Sequence, residues 1–394
     1  MILTAVVFLV ILSLLVLIHE YGHFWVAKKL NIKVEEFAFG FPPRLFSRKK
    51  GETEYSVNAL PIGGYVKLYG EDEAGGGRVK VQSAKFKVQS SDLRRAFFAR
   101  PAWQRALVSV AGVVMNALLA IAIYYSYLAI AGFKAELPLF GDHKFFLVNQ
   151  QEKADVIVSA VAKNSPAENI GITPFSKITS INGVQITNTR EFIQIINTNK
   201  GKEIAFTWQN IQTNKTFTAK AVPRVSPPKG EGALGVAFVL LNSVTISYDT
   251  PVQRIFSGPI HTANLITYNI DVLSQLVKTA LKEKSVAPLG QGVSGPVGIY
   301  NLVGSIVQIP DPKERLLQVL NLAGLLSISL ALFNILPIPA LDGGRLFFII
   351  IEWITGRRVN QKIEGYVHTI GMILLLTLIA FITIQDFRKL IFGF

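Results

Sequence analysis

The chain has no cysteine in 394 residues. That excludes disulfides, thiolate metal ligands and a cysteine nucleophile. Histidine is scarce as well, with five residues in all. Any bound metal must therefore be held by histidine and carboxylate. Acidic residues are also few, 26 against 40 Lys and Arg, which leaves a net charge of +14. An excess of this size suits a nucleic-acid binder, but no nucleic-acid motif accompanies it, and none is expected as a partner. Half of the residues are hydrophobic and mean hydropathy is +0.39, as in membrane proteins. In that setting the positive charge means cationic cytoplasmic loops against anionic membrane lipids.

The scarce histidines are concentrated. His19-Glu20-Tyr21-Gly22-His23 reads HExxH, and positions i and i+4 of a helix share one face. His19 and His23 can then point at one ion, with Glu20 placed to hold a water without binding the metal. The run from Met1 to Ile18 is almost purely apolar. The motif thus falls inside a hydrophobic helix, where ionisable groups are costly and usually functional.

Four apolar runs have the length of membrane spans: about residues 2–27, 106–131, 316–336 and 367–384. No Lys or Arg precedes Lys28, whereas Lys28, Lys29 and Lys33 follow the first run. This is the reverse of a signal peptide's charge and places the N-terminus outside. With four spans the C-terminus is outside too, and so is the long middle region. Between the first two spans, Val57 to Gly70 contains Gly63-Gly64 flanked by alternating β-type residues, which reads as a hairpin or a bent strand. It is too apolar for an ordinary loop. A re-entrant hairpin buried against the protein and a plain surface hairpin stand level on pattern alone. Glu71 to Gly77 reads as an acidic, glycine-rich turn, and Ala84 to Arg105 as a basic amphipathic stretch. Asn116, in the second span, reads equally as interhelical glue or as a catalytic group.

In the middle region Asp155 to Val222 alternates short β-type runs with two helical ones, and Pro223 to Gly232 is a Pro/Gly/Ser-rich linker. His143, His261 and His368 lack ligand spacing; His143 and His368 read as structural, and His261, on a weakly amphipathic stretch, as a surface or interfacial histidine. The third span ends in Phe333-Asn334-Ile335-Leu336-Pro337-Ile338-Pro339-Ala340-Leu341-Asp342-Gly343-Gly344-Arg345. Two prolines break that helix. Alone, Asp342 would be a helix cap. Beside HExxH it is the third, carboxylate ligand that two histidines without cysteine require.

These stretches resemble the site-2 protease family, in its bacterial RseP-type branch of intramembrane zinc metalloproteases. The HEYGH of the first span, Leu60-Pro61-Ile62-Gly63-Gly64-Tyr65-Val66-Lys67, and Asn334…Pro337…Pro339…Leu341-Asp342-Gly343-Gly344 carry the resemblance. Asn164-Ser165-Pro166-Ala167 to Ile181-Asn182-Gly183 looks like a single PDZ domain, with Phe175-Ser176 where such domains usually have Gly-Asp. The resemblance implies a polytopic α-helical membrane protein of about four transmembrane helices, with a membrane-re-entrant β-loop and an inserted α+β PDZ-like domain. The expected parts are an N-terminal membrane part (1–131, β-loop 57–70), an extracytoplasmic PDZ-like domain (150–225), a linker with an amphipathic segment (226–315) and a C-terminal membrane part (316–394). It further implies Zn2+ on His19, His23 and Asp342, with Glu20 as catalytic base. Asn334, Pro337, Pro339, Gly63, Gly64 and Tyr65 would seat the substrate. The substrates would be single-span proteins of the bacterial cytoplasmic membrane, such as anti-sigma factors or signal-peptide remnants, trimmed beforehand by another protease.

Two other classes compete. A non-catalytic membrane adaptor carrying the PDZ-like module has no need of a carboxylate base beside the metal. A cation transporter calls for acidic or histidine residues spread over facing helices, and the fourth span offers only His368 near its start.

Overall fold

The computed structural model describes residues 2–71, 93–139, 143–186, 189–211, 215–228, 230–284 and 294–392. The expected stretches Glu71 to Gly77 and Ala84 to Arg105 therefore lie partly outside the described residues. In chain order the first elements are α1 (Ile2–Lys29), β1 (Val34–Lys50), β2 (Thr53–Leu68) and α2 (Ala102–Ile130). Then come β3 (Lys134–Pro138), β4 (Asn149–Val161), α3 (Pro166–Asn169), β5 (Ser176–Ile181), β6 (Val184–Gln185), α4 (Thr189–Thr198), β7 (Ile204–Asn210), β8 (Thr216–Ala221), β9 (Val236–Ser247) and α5 (Pro251–Ile255). The last are α6 (Ser257–Glu283), α7 (Pro296–Val307), α8 (Pro312–Ile335), α9 (Asp342–Thr355) and α10 (Gln361–Phe392).

Residues 1–132 and 255–394 form one compact unit and 133–254 another. In the first unit, four helices among the described residues are long and apolar enough to cross a membrane: Ile2–Lys29, Ala102–Ile130, Pro312–Ile335 and Lys362–Arg388. Their ends follow local chemistry. Lys28 and Lys29 close α1 where cations suit the helix dipole. The Asp311 side chain accepts from the Lys313 N–H at 3.1 Å to cap α8. Leu336-Pro337 stops α8, because proline has no N–H to continue the ladder.

β1 and β2 form a bent ribbon that reverses at Gly51-Glu52. Glu36 to Phe39 of β1 pair with residues 54–57 of β2 on one side and with 64–67 on the other. Of the two readings of Gly63-Gly64, the bent strand is the one observed: both glycines lie within β2 and neither makes the turn. They serve close approach. A Cβ on Gly63 would collide with the Phe41 ring, and one on Gly64 would sit 2.8 Å from the Ala38 carbonyl oxygen.

The second unit is a seven-stranded sheet in the order β3-β9-β4-β5-β7-β8, with β6 paired to β5. Its core joins Val156 and Val158 of β4, Ile178 and Ile181 of β5, Phe206 and Trp208 of β7, and Phe192 and Ile196 of α4. Phe175 takes the left-handed backbone conformation (φ 65°) at the place where glycine is usual, and its ring lies exposed. The limits of the unit differ from the expected 150–225. β9 falls in the stretch expected to be linker and amphipathic segment. It pairs with β4 from Asn149↔Ser247 to Val161↔Val236, and β3 pairs with its far end. The Pro/Gly-rich stretch before β9 is thus a loop within the sheet's own chain path.

Candidate metal centre

α1 carries His19 and His23 one turn apart, and Asp342 opens α9 more than 300 positions later. The three meet. Nε2 of His19 lies 2.9 Å from Oδ2 of Asp342, Nε2 of His23 lies 3.2 Å from the same oxygen, and the two Nε2 atoms are 3.1 Å apart. All three candidate ligand atoms fall within 4.8 Å of one another.

Glycine makes this convergence possible on both sides. Gly22 of α1 packs on the Ala111 carbonyl of α2, and a Cβ on Gly112 would collide with Nε2 of His23 and the ring of His19. α1 and α2 therefore approach closely enough for α2 to back both imidazoles. On the other side, the chain folds between α8 and α9 so tightly that a Cβ on Gly343 would overlap the Leu336 carbonyl. A Cβ on Gly344 would sit 2.5 Å from the carbonyl oxygen of Ile338. Within that turn Ala340 has φ 76°, and its N–H donates to Nδ1 of His368 at 2.9 Å. His368, read from sequence as structural, props the turn that delivers Asp342.

The outer nitrogens are engaged as metal ligation requires. The Val108 carbonyl lies 2.7 Å from Nδ1 of His23 and accepts its proton. Asn116 lies 3.3 Å from Nδ1 of His19 through its amide nitrogen. Asn116 is fully buried and its Oδ1 has no partner among the described residues. The two ends of an amide are interchangeable in such an assignment. Turned over, Oδ1 accepts from Nδ1–H of His19, the tautomer that frees Nε2 for a cation. The Ser327 hydroxyl fixes the Asn116 backbone by donating to its carbonyl at 2.7 Å. Two neutral imidazole nitrogens and one carboxylate oxygen are the donor set of a catalytic zinc site.

Glu20 lines two cavities that reach this cluster. The larger, about 570 Å³, also touches His19, His23, Tyr65, Asp342 and Arg345. The smaller, about 260 Å³, includes His19, Asn116 and Asn334. Gly64 brings β2 against α1, its ideal Cβ position lying 3.6 Å from Cγ of Glu20. Gly63 instead faces Phe41. Pro339 packs on Gly371 of α10, and Pro337 is exposed. Neither proline lines either cavity. Sequence reasoning left Asn116 open and passed over Val108 and Gly112. Their signal was spacing: residues 108, 112 and 116 repeat at four, on one face of α2.

Apolar membrane-length helices around an HExxH pair, a distant carboxylate and a cavity beside a second carboxylate define a membrane-embedded metallohydrolase. The chain matches Peptidase family M50 over residues 7–378 and belongs to that family, the site-2 proteases. It is 32% identical over 374 residues to a Clostridium perfringens protein named as a zinc metalloprotease, covering 95% of each chain. It is 26% identical to the regulator of sigma-W protease RasP of Bacillus subtilis, covering 98% of this chain and 99% of the relative. Among solved structures, the PDZ domain of an SdrC-like protein of Listeria innocua aligns with 21% of this chain and 92% of its own, at 26% identity and a TM-score of 0.19. The protein is a membrane zinc metalloprotease.

Proposed function

We propose that His19, His23 and Asp342 hold the zinc and that Glu20 is the general base for cleavage of transmembrane segments in single-span membrane proteins. The observation that carries this reading is the convergence of the three donor atoms beside a cavity that Glu20 also lines. When bound there, zinc supplies Lewis acidity toward water and the scissile carbonyl. Glu20 takes the proton from that water and passes it to the leaving amine. Asn116 and the Val108 carbonyl keep the imidazoles in the ligating tautomer.

A transmembrane helix hides its carbonyls in i→i−4 bonds, so the substrate must unwind. Residues 60–68 of β2 pair only with β1 among the described residues, which leaves one side for an added strand. Gly64 would set that strand beside Glu20. Tyr65, in the larger cavity, and Asn334, in the smaller, flank the same place. Gly63, Pro337 and Pro339 lie outside both cavities and act through backbone shape: Gly63 packs on Phe41, Pro339 on Gly371, and Pro337 ends α8. The chain sits in the bacterial cytoplasmic membrane with both termini and the inserted PDZ-like unit outside. There the unit admits substrates already trimmed by another protease. The sigma-W regulator among the relatives supports an anti-sigma factor as one such substrate.

The test is cleavage of a single-span substrate in detergent by wild type, Glu20→Gln and zinc-stripped protein, with zinc content measured alongside. Wild type should cleave. Glu20→Gln should keep its zinc and lose about 10²- to 10⁴-fold in rate, the usual contribution of a general base. Stripped protein should be inactive until zinc is restored. Full activity in Glu20→Gln would overturn the assignment of the base.

A further inference from the structure

Asp342 is the first residue of a fourteen-residue helix, so its position is set by whatever holds α9. The far end of α9 is tied to α2 by Arg105, whose guanidinium lies 2.6 Å from the Glu352 carboxylate. The near end is tied elsewhere. Arg345, three positions beyond Asp342, forms an ion pair through Nη1 with Oε1 of Glu71. The second oxygen of Glu71 accepts from the backbone N–H of Leu68 at 3.4 Å, and Leu68 is the last residue of β2. Both charged side chains line the larger cavity. Both are also largely withdrawn from water, at 12% and 29% exposure.

We infer that Glu71 and Arg345 form a strut joining the end of strand β2 to the helix that carries Asp342, and that Arg345 is a positioning residue for this carboxylate. The inference rests on the ligand assignment proposed above. A carboxylate that bridges a strand end and a guanidinium transmits displacement of one element to the other. Neutralising one member leaves the other charged and poorly solvated beside the site. The strand offered to substrate and the third zinc ligand are thus one mechanical unit.

The measurement is the rate at which purified full-length protein in detergent loses zinc to excess chelator, read as metal content over time. It is made for wild type, Glu71→Gln, Arg345→Gln and the double variant, with thermal unfolding of each. Losing a direct outer partner of a metal ligand costs about 10- to 100-fold in affinity, and a residue that acts one step further out, through the position of α9, should fall at the low end of that range. Each single variant should therefore lose zinc about 10-fold faster than wild type. The double variant should also show about 10-fold, because one strut is broken once. Effects that multiply to about 100-fold, or singles equal to wild type, would overturn the strut. Glu71→Gln is nearly isosteric and decides alone if Arg345→Gln fails to fold. A wild type that binds no zinc would instead bring down the ligand assignment and the strut with it.

Discussion

Asn116 shows how much one buried side chain can decide. An apolar replacement of similar size removes the acceptor for Nδ1–H of His19 while leaving the helix contact filled. Asn116→Leu should weaken zinc about 10- to 100-fold without changing the ligand set, as read by metal content against chelator concentration. The sequence placed Asn116 in a span but could not say which way it pointed, because the helix phase of α2 against α1 is set by tertiary packing. The HExxH pair was legible because its spacing is local and its residue types are rare here. A second residue-scale expectation concerns Glu52 at the ribbon's turn. It accepts from Arg95 at 2.7 and 2.8 Å and from Lys28 at 2.7 Å. The Arg95 hydrogen bonds lower its carboxyl from 4.5 to about 2. A carboxylate with a depressed folded-state pKa stabilises above its unfolded value and loses that contribution as pH falls through the folded one. The window therefore runs from about 4.5 down to about 2. Glu52→Gln should lower thermal stability at pH 7 by about 1 kcal/mol. It should also flatten the decline across that window in unfolding scans in detergent. An unchanged pH profile would mean that the triad of charges does not anchor the ribbon.

Among the elements, the spans were legible and the ribbon only in part: its second strand showed in the Val57 to Gly70 pattern, its first strand did not. Long apolar runs report a helix because in a bilayer each backbone group must bond within its own segment. The ribbon depends on pairing between residues 36–39 and two separate parts of β2, and no local pattern announces a strand with partners on both sides. The same limit hid β9, whose partners β4 and β3 lie far upstream. Element packing also yields a direct test at the α1–α2 crossing. Gly112 is where α2 backs both imidazoles, and a methyl group has no room there. Gly112→Ala should force the helices apart and cost zinc occupancy. Gly304→Ala, inside helix α7, where an added Cβ meets only the Thr4 methyl at an ordinary 3.5 Å, serves as the comparison for glycine's backbone effects in a helix. Equal zinc content in both variants would show that the crossing tolerates the extra carbon.

For the whole molecule, the inserted unit begins and ends at one place. The Tyr248 N–H donates to the Phe133 carbonyl at 3.0 Å, and the Arg254 guanidinium lies over the Phe133 ring at 5.6 Å. A chain that enters and leaves a unit side by side can lose the unit without stretching what remains. The proposed zinc ligands, Glu20 and both cavities are built entirely from residues outside 133–254. Joining Gly132 to Ile255 through a short flexible linker should therefore leave zinc content unchanged. It should also leave cleavage of a substrate with a trimmed outer part close to wild type. If the unit filters substrates by size, the shortened protein should additionally cleave an untrimmed substrate that wild type spares. The two substrates, assayed side by side with both proteins, separate the possibilities. Cleavage of the untrimmed substrate only after excision makes the unit a filter. Refusal of the untrimmed substrate by both proteins places the size discrimination in the membrane part itself, at the entrance to the cavity beside Glu20.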